Sequence, residues 1–243
     1  LDLPPRGGFI GVNDYNRQVS FVIWGDSHAD TVVYLCDQLA KESGLLGVSA
    51  TWPGFVPILD AWHVDPTIEG PAKQIEWSRE VVNWVVEHEV REIILVARWE
   101  TRLGAFGIER DGALLRDANT TDVSAGDAER VTVDHFRQTV NELRKADCRV
   151  WLLSQVPIQE QSKVTRSIRS VQPPEERPTG VTRSRYNLQQ EPFNRVFGQF
   201  EGSGVAIVGP SYDWFDQAGR SRIFLGRKRL YHDDNHLSVD GAE

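Results

Sequence analysis

A three-layer α/β/α sandwich around a central, mainly parallel five-stranded sheet is the fold this sequence predicts. Five short, mostly apolar segments have strand length, and stretches of near-helical apolar spacing lie between them. Strand and helix alternate along the chain with no internal repeat, the order that builds a parallel sheet between helices. Runs that are apolar throughout, rather than at alternate positions, suit strands covered on both faces. With 243 residues the chain can bury a sizeable core as one domain.

Residues 1–20 are rich in Pro, Gly and Asn and read as a linker, with the domain proper over 21–243. The first strand is 21–24 (FVIW), followed by the turn Gly25-Asp26-Ser27-His28 and a helix over about 31–43, with Gly44 as its stop. A second strand at 47–51 runs into the turn-rich Trp52-Pro53-Gly54-Phe55. Residues 71–89 form an amphipathic helix with Ile75, Val81, Val82, Val85 and Val86 on one side, and 91–97 (REIILVA) is the third strand. The polar stretch 98–128 reads as a functional loop or an insertion. Val133, Phe136, Val140 and Leu143 mark a further helix, and 149–156 (RVWLLSQV) the fourth strand. Residues 158–185, basic and Pro-containing, read as an exposed mobile loop. Residues 191–200 read as a helix with Pro192 in its first turn, and 204–208 as the fifth strand.

Composition narrows the function classes. Hydrophobic residues are 40% and charged residues 26%, ordinary globular values that argue against global disorder. A net charge of -8 lacks the basic footprint of a duplex binder, so nucleic acid is not an expected partner. No apolar run approaches the ~20 residues that span a bilayer. The start LDLPPRGG has neither an initiator Met nor a basic–apolar leader, and reads as a piece of a longer chain. Cys36 and Cys148 read as two buried free thiols, with a disulfide left open. No Cys/His cluster with zinc spacing and no Gly-rich phosphate loop is present, so neither a metal nor another cofactor is expected.

Parallel sheets bind ligands beyond the carboxyl ends of their strands. Ser27, Gly54 and Arg98/Trp99 each lie just past such an end. A serine hydroxyl needs a base within hydrogen-bond reach, and the base needs an orienting partner. Ser27 at a strand-to-helix turn, His236 near the far end and Asp233 three residues earlier are candidates for nucleophile, base and orienting carboxylate. Each piece alone has a plainer reading: Asp26 or Ser27 as a helix cap, His236 as a surface residue.

Gly25-Asp26-Ser27-His28 after the first strand, together with Asp233, His236, Leu237 and Ser238 near the end, resembles the SGNH/GDSL hydrolase superfamily of flavodoxin-like α/β proteins. More narrowly, it resembles the SGNH domain fused behind acyltransferase-3 membrane proteins, which O-acetylate bacterial surface polysaccharides such as lipopolysaccharide O-antigen. The resemblance implies Ser27 as nucleophile, Asp233 and His236 as the rest of a triad, and Asp26 as part of the serine motif. It also implies an attached N-terminal acyltransferase-3 membrane domain, a glycan acceptor and a periplasmic location at the inner membrane.

The wider superfamily supplies oxyanion donors from a Gly after the second strand and an Asn after the third. Gly54 fits the first. At the second this chain reads Ala97-Arg98-Trp99-Glu100. Trp99, through its indole N–H, and Arg98, through its charge, are the replacement candidates. His28 is a candidate pocket residue or a helix-start surface residue. Trp52, Trp62 and Trp99 are candidates for a sugar platform or for packing. Lys163, Arg166, Arg169, Arg177, Arg183 and Arg185 form a basic run that suits a solvated loop or an anionic partner. His232 reads as a solvated neighbour. Acetyl transfer to a carbohydrate hydroxyl is the leading expectation; a free-standing carbohydrate or lipid esterase and a non-catalytic glycan-binding module are the alternatives.

Overall fold

A computed structural model describes residues 2–65, 67–105, 113–121, 123–169, 178–210 and 214–243. Its strands are β1 (Gly7–Gly11), β2 (Phe21–Gly25), β3 (Leu46–Thr51), β4 (Glu92–Val96), β5 (Arg149–Leu153) and β6 (Val205–Val208). They form one sheet in the order β1-β3-β2-β4-β5-β6. All neighbours are parallel except β1, which runs antiparallel to β3. The helices are α1 (Ser27–Glu42), α2 (Pro71–Glu87), α3 (Trp99–Arg102), α4 (Ala125–Arg144), α5 (Gln161–Arg169), α6 (Arg183–Phe197) and α7 (Val239–Ala242). A small hairpin pairs β7 (Phe224–Leu225) with β8 (Lys228–Arg229).

Strand alternation sorts side chains into two layers. Val22 and Trp24 point into the larger core, with Trp77 and Val81 of α2 and Phe136 and Val140 of α4. Ile23 points to the other face, against Ala29 of α1 and Val96. Strand order sets the position of the site. From central β2 the chain crosses to β3 on one side, then from β3 to β4 on the other. This reversal opens a crevice beyond the carboxyl end of β2, where open α/β sheets take their ligands.

The sheet has six strands rather than five. The extra one, β1, lies in the segment whose composition reads as linker. Its sequence GGFIG carries too little apolar pattern to mark it, and only pairing with β3 across Gly7↔Ala50 to Gly11↔Leu46 makes it a strand. An antiparallel edge strand on a parallel sheet is a common device.

The helix read over 191–200 starts earlier. Thr182 caps it through the Arg185 N–H at 3.2 Å, so Pro192 sits in the helix interior instead of the first turn. Part of the stretch read as a mobile loop is therefore helix, in α5 and the start of α6, while 170–177 lie outside the described residues. The stretch 98–128 holds α3 and the beginning of α4, with 106–112 and 122 also outside them. Cys36 and Cys148 are free, the second buried. Among the described residues no helix is long and apolar enough to cross a membrane.

Candidate active site

The turn that presents Ser27 is built from three neighbours. Gly25 ends β2 so close to β4 that a Cβ there would lie 1.7 Å from the Val96 carbonyl oxygen, so only glycine fits. Asp26 is buried and caps α1. One carboxylate oxygen accepts from the His28 N–H at 2.8 Å, the other from the Arg98 N–H at 3.0 Å. Asp26 thus ties the start of α1 to the end of β4. Both of its oxygens are engaged with the backbone, at the edge of the cavity that Ser27 lines. Ser27 follows as the first residue of α1.

The partners come from the loop before α7. Tyr231 and Leu237 bridge in antiparallel fashion, and the His232 N–H donates to the His236 carbonyl at 2.8 Å, pinching the segment between them. Inside that loop one oxygen of Asp233 accepts from the N–H groups of Asn235 (2.9 Å) and His236 (2.7 Å). The other oxygen takes His236 Nδ1 at 2.7 Å. This arrangement puts the proton on Nδ1 and leaves Nε2 as an acceptor, 2.8 Å from Ser27 Oγ. Burial pushes the Asp233 carboxyl upward, but the side-chain and backbone donors of His236 and the Asn235 N–H outweigh it. The carboxyl is held well below the usual range, so it is ionised at neutral pH. Hydroxyl, imidazole and carboxylate are therefore connected in the order a serine nucleophile requires.

Beneath His236 lies His28, and the two rings stack with centroids 4.3 Å apart and 18° between planes. His28 is buried, which lowers its pKa to about 4 against the opposing pull of Asp26. It is neutral where His236 must accept protons. Gln155 Nε2 lies 3.0 Å from His28 Nδ1 and donates to the Asn235 carbonyl at 3.4 Å. An amide nitrogen shared this way makes Nδ1 the acceptor and puts the His28 proton on Nε2. His28 is thus not a surface residue: it is buried, lines the cavity and forms the floor under the base.

On the other side, Trp52-Pro53-Gly54-Phe55 closes a turn with Phe55 N–H on the Trp52 carbonyl at 2.9 Å. Pro in its second place and Gly54 at φ +85 in its third follow the type II pattern. The Gly54 carbonyl is held by His63 Nε2 and, at 3.2 Å, by Arg102. Among the described residues no protein acceptor takes the Gly54 or Ser27 N–H. Both residues line one cavity of about 450 Å³ with His236, Arg98, Trp52 and Arg6.

Arg98 reaches this cavity, its Nε buried with no acceptor among the described residues. Trp99 does not. It is fully buried against Phe197, and its indole N–H donates to the Leu153 carbonyl at 3.1 Å. The oxyanion and sugar-platform expectations for Trp99 are both corrected by that bond. Of the other tryptophans, Trp52 borders the cavity, but one ring face stacks on Phe55 and the Arg6 guanidinium sits over the ring. Trp62 is paired through its backbone with Arg116, away from the cavity. His232 is exposed, as expected of a solvated neighbour. In the basic run, Lys163 pairs with Glu160 and Arg183 lies over Phe215. The side chains of Arg166 and Arg169, and all of Arg177, lie outside the described residues.

Sequence reasoning missed Arg6, His63, Arg102 and Gln155. Arg102 was within reach, four residues after Arg98 and so one helical turn on. The others come from loops and carry no local pattern.

The sheet order and this site define a class, the three-layer α/β/α proteins of SGNH/GDSL type. The chain belongs to the family of SGNH domains fused to AT3 domains, which it matches over residues 6–243. Among solved structures, it is similar to the periplasmic domain of a lipopolysaccharide acetyltransferase from Salmonella ser. Paratyphi A. The identity there is 13% and the TM-score 0.59, covering 92% of this chain and 79% of that one. A GDSL-like lipase from Bacteroides thetaiotaomicron VPI-5482 is more distant, at 10% identity and TM-score 0.47, covering 95% and 85%. No curated protein sequence matches.

Proposed function

We propose that this domain transfers an acetyl group to a hydroxyl of a bacterial surface polysaccharide, such as lipopolysaccharide O-antigen, through an acetyl-Ser27 intermediate. The observation that carries the reading is the unbroken path Ser27 Oγ, His236 Nε2, His236 Nδ1, Asp233, with links of 2.8 and 2.7 Å. His236 Nε2 takes the Ser27 proton as Oγ attacks the carbonyl carbon of an acetyl donor. The bond to the donor's leaving group breaks, and that group leaves with the proton from His236. A sugar hydroxyl then gives its proton to His236 and attacks the acetyl carbonyl, and Ser27 recovers its proton as it departs. The N–H groups of Ser27 and Gly54 hold the oxyanion, with the Arg98 guanidinium in place of a side-chain amide.

Fusion of this family to AT3 domains supports an upstream membrane domain as the acetyl source, and with it a periplasmic position tethered at the inner membrane. The Salmonella domain of similar fold is the periplasmic part of a lipopolysaccharide acetyltransferase, which agrees with that placement. A connected hydroxyl, imidazole and carboxylate favour catalysis over a module that only binds glycan. The test is hydrolysis of p-nitrophenyl acetate by the wild type and by Ser27→Ala, with and without an added oligosaccharide acceptor. Loss of turnover in the variant, and acetylated sugar with the wild type, are the expected results. Release of acetate alone in the presence of acceptor would favour a free-standing esterase.

A further inference from the structure

We propose that Arg6, in the segment before the first strand, is a specificity residue that binds an anionic group of the acceptor glycan. The proposal rests on the acyl-transfer reading for the word acceptor, but its geometry is independent of that reading. The segment is anchored. Trp84 Nε1 of α2 donates to the Asp2 carbonyl, Trp77 Nε1 donates to the Pro5 carbonyl at 3.2 Å, and the Gly7 N–H donates to the Pro4 carbonyl at 2.7 Å. Chain ends are usually loose unless tied down in this way. Between those ties Arg6 takes φ +59, a conformation uncommon for a residue with a side chain.

The result is a guanidinium set 4.0 Å over the Trp52 ring, at the wall of the cavity that holds Ser27 and His236. That ring contact orients the planar group without using its N–H donors. Among the described residues no ion pair or hydrogen bond takes them. Three carboxylates also border the cavity, and Asp26 is engaged with the N–H groups of His28 and Arg98. Asp65 is engaged with the N–H and hydroxyl of Thr67, and among the described residues no ion pair joins Glu69 to Arg6. Arg98 adds a second cation whose Nε is buried with no acceptor among the described residues. On a chain of net charge -8, this cavity carries two guanidiniums that pair with no carboxylate among the described residues. A planar fork of unused donors fits a carboxylate or phosphate oxygen pair. The acceptor that matches is therefore an acidic sugar, a uronic acid or a phosphorylated residue.

The test measures binding in Ser27→Ala, so that it does not depend on acyl chemistry. Trigalacturonic acid, glucose 6-phosphate and maltotriose are titrated into that variant, with and without Arg6→Gln, and heat and tryptophan fluorescence are followed. An acidic probe should bind better than maltotriose, and Arg6→Gln should weaken the acidic probe about tenfold, the scale of one charged hydrogen bond. The weakening should be partly recovered in Arg6→Lys. Whichever acidic probe binds tells carboxylate from phosphate. Equal binding of acidic and neutral probes, no binding of any, or no change in a folded Arg6→Gln protein would overturn the proposal. If Ser27→Ala keeps full ester hydrolysis while Arg6 still selects acidic sugar, the acyl-serine reading fails and this one stands.

Discussion

The imidazoles of His28 and His236 lie face to face, 4.3 Å between centroids, with His28 fixed from behind by Gln155. Among the described residues, only Asp233 and Ser27 otherwise hydrogen-bond the His236 ring. His28 is thus a positioning residue. His28→Ala should lower kcat for p-nitrophenyl acetate by about three- to tenfold, the scale of an aromatic contact of 0.5–1.5 kcal/mol. His28→Phe, which keeps a flat ring, should recover most of it. A loss that Phe does not repair contradicts positioning by stacking.

His28 also sets an acid limit. Its folded pKa of about 4 lies below the unfolded value of 6.5, so the unfolded chain binds the extra proton in between. Stability present above pH 6.5 is lost as pH falls towards 4. Urea melts across that window should show a shallower acid slope for His28→Phe, and an unchanged slope would count against a buried neutral imidazole.

Glu100 works in the opposite sense. It is fully buried beside Gln190, and burial raises its carboxyl from 4.5 to about 7. The folded state keeps a proton that the unfolded chain has already released, so stability falls as pH rises from 4.5 to 7, by up to about 3 kcal/mol. Glu100→Gln cannot ionise and should lose this dependence. Melts at pH 5 and pH 8 give the comparison, and equal slopes in both proteins would show Glu100 ionised in the fold.

Asp26→Asn separates the two tasks of one carboxylate. An amide can still cap the His28 N–H through its oxygen, but then turns NH2 towards the Arg98 N–H. The cost should be about 1–3 kcal/mol for the buried donor left without a partner. Activity should fall with it, as the ends of β2 and β4 are no longer tied. Thermal melts and p-nitrophenyl acetate rates measure both; wild-type stability would mean that the tie carries no load.

Gly54→Ala tests the oxyanion role proposed for this turn. A Cβ there meets Ile68 Cγ2 at 2.9 Å, and φ +85 disfavours any side chain, by about 1–2 kcal/mol. The turn should relax and carry the Gly54 N–H out of place. The effect should appear mainly in kcat, and a change in KM alone would place this turn in ground-state binding instead.

What the sequence makes legible follows from how local each signal is. The strand-to-helix turn at Ser27 and the Asp233–His236 spacing are short-range patterns, and both land where the pattern puts them. Four of the parallel strands are legible because their runs are rich in Val, Ile or Leu, while β3 (LGVSAT) is marked only as a short segment before a turn. β1 is not, since three of its five residues are glycine and the partner that makes it a strand lies some 40 positions on. Trp99 misleads because position after β4 does not fix which way an indole faces; α3 turns it into the core, where Leu153 supplies an acceptor. Arg6 is invisible for a related reason. Its placement depends on two tryptophans of α2 more than 70 residues away.

The most direct test of Ser27 as nucleophile is labelling with a fluorophosphonate, read by intact mass and peptide mapping. One adduct on the Ser27 peptide of the wild type is expected, with none in Ser27→Ala and slow labelling in His236→Ala and Asp233→Asn. An unlabelled wild type, or equal labelling when Ser27 is gone, would contradict it.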